Sequence, residues 1–115
     1  MKNRKTTSLT VNIVVKKEGS MWVGHCLELD IVSTSDSIES LKKDMKDLIV
    51  AQVEYAFSND NLDHLFHPAP KEVWEEFYKC KAQTEDKIMV TSKSKPFVPP
   101  WIIAKTCLLR EGALA

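Results

Sequence analysis

Glycine is scarce in this chain. Gly19, Gly24 and Gly112 are the only three in 115 residues, too scattered for a phosphate-cradling loop. No G-x-S-x-G, H-E-x-x-H or G-x-G-x-x-G run occurs, which removes the familiar signatures of hydrolases, zinc proteases and dinucleotide enzymes. No apolar run approaches the roughly 18–20 residues of a membrane-spanning helix, so no membrane partner is expected. Cysteine is sparse and odd in number: Cys26, Cys80 and Cys107 lie far apart with no C-x-x-C pair. Such a set reads as free thiols in a reducing compartment, which makes the cytoplasm the expected location. Charge of one sign is lacking too, because sixteen basic and sixteen acidic side chains cancel. Direct binding to nucleic acid normally shows as a surplus of Lys and Arg, so it is not expected. The basic start Met1–Lys5 is followed by Thr6-Thr7-Ser8 rather than an apolar core, so it reads as a solvated terminus and no secretory signal.

What is present is an ordinary mixture, 43% hydrophobic and 28% charged, enough for a single domain over residues 1–115 with one sizeable core. Leu9, Val11, Ile13 and Val15 alternate with other residues from Ser8 to Val15, the period of a strand with one face on a core. Lys17-Glu18-Gly19-Ser20 is a turn in which Gly19 is free to take positive φ. Met21 to Leu27 reads as the returning strand, and Asp30 to Thr34 as a short third strand.

At Ser35 the period changes. Ile38, Leu41, Met45, Leu48, Ile49, Val53 and Ala56 recur at three- and four-residue spacing, which predicts an amphipathic helix over about 37–57 laid on the sheet. Asp36 is placed to cap it, with Glu39 reaching back three residues later. Ser58-Asn59-Asp60-Asn61 breaks the pattern, and residues 62–69 read as a loop. Pro70 suits the first position of a second helix running to about Lys81. Residues 87–91 read as a strand. The Pro96–Pro100 stretch must be extended or turning, because each proline disfavours helix before it. Residues 101–108 read as a last strand.

Met21-Trp22-Val23-Gly24-His25-Cys26-Leu27-Glu28-Leu29-Asp30 puts an imidazole beside a thiol. On a strand neighbours point to opposite faces, so His25 and Cys26 cannot share a metal or act as a nucleophilic pair. The expected role of His25 is structural, on the less buried face of the sheet. Asp63, His64 and His67 could fill three positions of a zinc shell if helical. Pro68 and Pro70 follow at once, and the reading adopted is surface histidines, with no metal and no cofactor. Trp74, Phe77, Tyr78, Phe97 and Trp101 need burial, either in the core or at a subunit interface. If the strand 101–108 has no partner in its own chain, its edge, with Trp101 and Ile103, could pair with another copy, an exchanged arm tethered by residues 96–100.

The order strand, Gly turn, strand, short strand, capped helix resembles the N-terminal module of the HicB-like antitoxin family over about residues 9–57. The residues that carry the resemblance are the strand Val11 to Val15, Glu18-Gly19, Trp22-Val23, Cys26-x-Glu28-Leu29, and the Ser33-to-Asp36 lead-in to Ile38-Glu39 and Leu41. It implies an α+β fold: a three- to four-stranded antiparallel sheet with a helix packed on one face, a degraded dsRBD-like β-β-β-α unit. Residues 58–115 would then be an extension of a helix and two strands. The resemblance also implies a non-catalytic homo-oligomer, a dimer or tetramer, that occludes a small HicA-type RNA-cleaving toxin. Residues 58–115 show neither a helix-turn-helix nor a ribbon-helix-helix pattern, so no DNA-binding unit is expected. Trp22, His25 and Glu28 are the candidate partner-binding residues, and Trp74, Phe77, Trp101 and Ile103 the candidate oligomer interface. The alternative is a stand-alone oligomeric module with another protein or small ligand as partner.

Overall fold

A computed structural model of the chain describes residues 8–59, 65–81, 83–89 and 101–109. Seven elements follow one another: β1 (Ser8–Glu18), β2 (Met21–Cys26), β3 (Ile31–Ser35), α1 (Ile38–Ser58), α2 (Lys71–Lys79), β4 (Gln83–Met89) and β5 (Trp101–Leu109). The class is α+β, and the strands form one five-stranded sheet in the order β3-β2-β1-β5-β4. This corrects two expectations. The sheet has five strands rather than three or four, and it is mixed, because β1 and β5 run parallel from Ser8 opposite Trp101 to Lys16 opposite Leu109. β5 is therefore no open arm: β1 lies on one side of it and antiparallel β4 on the other.

The hairpin β1–β2 closes at Gly19, whose φ of +65° lies in the left-handed region that glycine enters without strain. Alternation then sorts the side chains. Val11, Ile13, Val15 and Cys26 face α1, in one cluster with Leu41, Met45, Ile49, Val53, Ile102 and Ala104. Val14, Leu27, Cys107 and Leu109 face the other way, in a second cluster with Ala69 and Phe77 that Val73 and Trp74 flank. β5 thus contributes alternate residues to both layers, and residues 8–58 and the extension both contribute to each cluster.

Gly24 sets how closely α1 approaches. A Cβ there would sit 3.2 Å from Met45 Cγ and Sδ and 3.3 Å from Leu41 Cδ2, so the bare backbone is what admits both side chains. The helix begins one residue later than the spacing of Asp36 and Glu39 suggests. Ser37 is the cap: its Oγ accepts from the Ser40 amide at 3.1 Å, and its carbonyl from the Leu41 amide at 3.0 Å. Ser37→Ala is accordingly expected to lower stability by about 1 kcal/mol in a urea titration, and Asp36→Ala much less. α2 has no side-chain cap; Pro70 precedes it, with φ −59° and ψ 152°.

The cysteines differ from expectation. Cys80, at the end of α2, and Cys107, in the last third of β5, are joined in a disulfide across a separation of 27 residues. Only Cys26 is a free, buried thiol. This corrects the expectation of three free thiols, because spacing along the chain carries no information about which elements a sheet brings together.

Candidate binding surface

The turn after β2 organises the surface around His25. Leu27 N–H donates to the Asn12 carbonyl at 2.8 Å. Asn12 returns two bonds to the Glu28 carboxylate, from its amide to Oε1 at 2.7 Å and from Nδ2 to Oε2 at 2.5 Å. Residues 65–69 run back across this turn, with the His67 amide donating to the Glu28 carbonyl at 2.9 Å and that of Ala69 to Leu27 at 2.7 Å. Asp30 closes the turn in the left-handed region, with φ +53°, a conformation that aspartate tolerates better than most residues.

That backbone geometry aims the Asp30 carboxylate at β2. His25 Nε2 lies 2.6 Å from Asp30 Oδ1, and because an ionised carboxylate only accepts, the imidazole donates. His25 is registered between Val14 and Val32, on the face away from α1. Cys26 lies on the α1 face, fully buried. Burial pushes its thiol up to about 12; the Glu28 carboxylate pushes the same way, and backbone hydrogen bonding at Leu29 and Glu28 opposes it. The His–Asp pair therefore has no thiol beside it, and the thiol is held neutral and unreactive.

The other sequence-predicted residues disperse. Trp22 is half-buried on the α1 side of the sheet and packs against the first cluster, with Lys17 Nζ 5.5 Å from its ring centroid. The carboxylate of Glu28 is engaged within the chain by Asn12. Phe77 is only 5% exposed, with its ring packed in the second cluster of its own chain. Trp74 flanks that cluster and stacks at a tilt on Tyr78, with 6.0 Å between centroids. Ile103 is half-buried. Asp63, His64, Phe97 and the side chain of Trp101 lie outside the described residues. His67 is exposed. Among the described residues no three His, Cys, Asp or Glu side chains gather to hold an ion, and no helix is long and apolar enough to cross a membrane.

What sequence reasoning missed is the edge. β3 and β4 are the outer strands of the sheet, and they differ in kind. β4 reads Gln-Thr-Glu-Asp-Lys-Ile-Met, and its run of charges discourages pairing with another strand. β3 reads Ile-Val-Ser-Thr-Ser and has no such guard. Val32, its second residue, is 53% exposed and Met21 on the neighbouring strand is exposed too. The second cluster gathers under α2 and residue 69, so Val32, registered opposite His25, and Met21, four residues along β2, lie on a sheet face that α2 leaves open.

No family model matches the chain, no curated protein matches it, and no solved structure matches its fold. The geometry must speak for itself. An uncharged outer strand, an exposed apolar side chain on it at Val32 and an imidazole–carboxylate pair beside it form a surface suited to a polypeptide partner.

Proposed function

We propose that the chain is a binding protein of the HicB-like antitoxin type, which neutralises a small HicA-type RNA-cleaving toxin by covering it. It needs no cofactor, performs no catalysis of its own and has no evident DNA-binding unit in residues 58–115; the setting proposed is the cytoplasm, which the toxin partner requires and the Cys80–Cys107 disulfide counts against. Residues 8–58 support the reading by folding as an antiparallel three-stranded ribbon backed by one helix, the arrangement the resemblance implies. The observation that carries it is the unguarded outer strand β3. Backbone amides and carbonyls along such an edge can extend the sheet into a partner, while side chains on the adjoining face give selectivity. Of the three candidate residues, His25 is the one on this surface, and exposed Asp30 beside it supplies a negative group to a basic partner.

The test is co-expression with a toxin-like protein from a neighbouring reading frame, followed by purification and a binding titration. The wild-type chain is expected to restore growth and co-purify. Val32→Lys places a charge on the edge at an exposed position, so its own stability should change by no more than about 0.5 kcal/mol. Its affinity for the toxin should fall about tenfold or more. Unaltered affinity would remove β3 as the docking edge.

A second reading is favoured by the same strand. Antiparallel pairing of β3 with another copy about a twofold axis at Ser33 would set Ile31 opposite Ser35 and Val32 opposite Thr34, with no like charges apposed. The chain is then a stand-alone oligomer, and Val32→Lys lowers its mass in light scattering instead.

A further inference from the structure

On the opposite face, away from β3, a groove of about 270 Å³ opens between the first turns of α1 and the strand β4. Leu41, Met45 and Ile49 form its helical wall, Ile13, Val15 and Ala104 its floor, and Ile88 its far side. Polar groups are confined to the rim and one end. Lys42 and Lys46, one helical turn apart, stand on the α1 rim, Asp86 and Lys87 on the β4 rim, and Thr106 closes the floor. Neighbouring Lys43 is paired with Asp47 at 3.3 Å. Lys42, Lys46 and Lys87 make no ion pair or hydrogen bond among the described residues. Lys87, registered opposite Ile103, turns its side chain to the other face of β4, so two unneutralised ammonium groups, Lys42 and Lys46, against the one carboxylate of Asp86 leave the mouth of an apolar trough net positive.

We propose that this groove binds an amphiphilic monocarboxylate, its apolar chain lying on Ile13, Val15 and Ala104 and its carboxylate held between Lys42 and Lys46. The site is independent of the toxin-binding reading, because it lies on the α1 face and shares no residue with the β3 surface. Apolar walls favour the chain in proportion to the area removed from water. The lysines select the sign of the head group more than they add affinity, since exposed charges are screened. A basic toxin is the wrong occupant for this mouth.

Sodium decanoate, octanoate and hexanoate are the probes, titrated into the full chain and followed by amide chemical shifts. Saturable shifts at Ile13, Val15, Ala104 and Thr106 are expected, with affinity rising about three- to fourfold for each CH₂ added. Lys42→Gln/Lys46→Gln, both at exposed positions, should weaken decanoate about fivefold while leaving the dependence on chain length intact. Decyltrimethylammonium should bind the wild-type chain more weakly than decanoate. Equal binding of the cationic probe, shifts centred on Met21 and Val32 instead, or no saturable shift would overturn the proposal. So would an acidic amphipathic peptide that shifts the groove where decanoate does not, which would make it a protein-docking site. Groove shifts that depend on protein concentration without ligand would give it to a second copy.

Discussion

Reduction of the Cys80–Cys107 disulfide is expected to lower the unfolding free energy by about 3 kcal/mol. The bond closes a ring across 27 residues, and the chain-entropy relation gives about 3–4 kcal/mol for a loop of that size. Location adds to length. Cys107 is fully buried beside Phe77 and Leu109, and Cys80 flanks the same cluster. The link therefore pins the end of α2 to the last third of β5 while β4 lies inside the ring. Urea titrations with and without a phosphine reductant measure the effect, and Cys80→Ala/Cys107→Ala, which keeps only the buried Cys26, provides a control that cannot form the bond. The reduced wild type should open first at α2 and β4, read as faster amide exchange there, while β1, β2 and α1 stay protected. Identical midpoints in both redox states would show that the bond does not constrain the chain.

The second large effect is alkaline. Cys26 titrates near its ordinary 9.0 when the chain is unfolded and is pushed up to about 12 in the fold. A raised folded-state value means that the native state keeps a proton the unfolded state has lost. The associated stability is fully present below about pH 9 and is lost as pH rises toward 12. The slope is about 1.4 kcal/mol per pH unit, or about 4 kcal/mol across the window. Cys26→Ala removes that slope at the cost of a small cavity, so the variant should start less stable at pH 7 and converge on the wild type by pH 11. Parallel curves would refute the link. The same burial predicts that iodoacetamide modifies Cys26 in the native chain only through unfolding.

Local pattern made half of this architecture legible. Leu9, Val11, Ile13 and Val15 announced a strand face, and the three- and four-residue spacing from Ile38 to Ala56 announced α1, because burial on one side writes a period into the sequence. The opposition of His25 and Cys26 followed from strand geometry alone. The cap was misplaced by one residue because Asp36 and Ser37 are both good caps, and only the chain's entry angle separates them. β4 begins at Gln83 rather than near Lys87, since an outer strand with Gln, Thr, Glu and Asp carries almost no hydrophobic alternation. Nothing local marks the parallel pairing of β1 with β5, the joining of Cys80 to Cys107, or the bonds from Asn12 to Glu28. Each depends on segments far apart in sequence meeting on one sheet. The open edge of β3 was invisible for the same reason, because a strand is an edge only once the order of all five is known.

Placing β5 between β1 and β4 also dictates when the molecule can mature. On the ribosome, the flank of β1 stays exposed until synthesis has passed residue 109, although its hairpin with β2 can close almost at once. A nascent chain of this protein thus carries a sticky half-sheet through most of its synthesis, and assembly ends with the insertion of a late strand into a waiting slot.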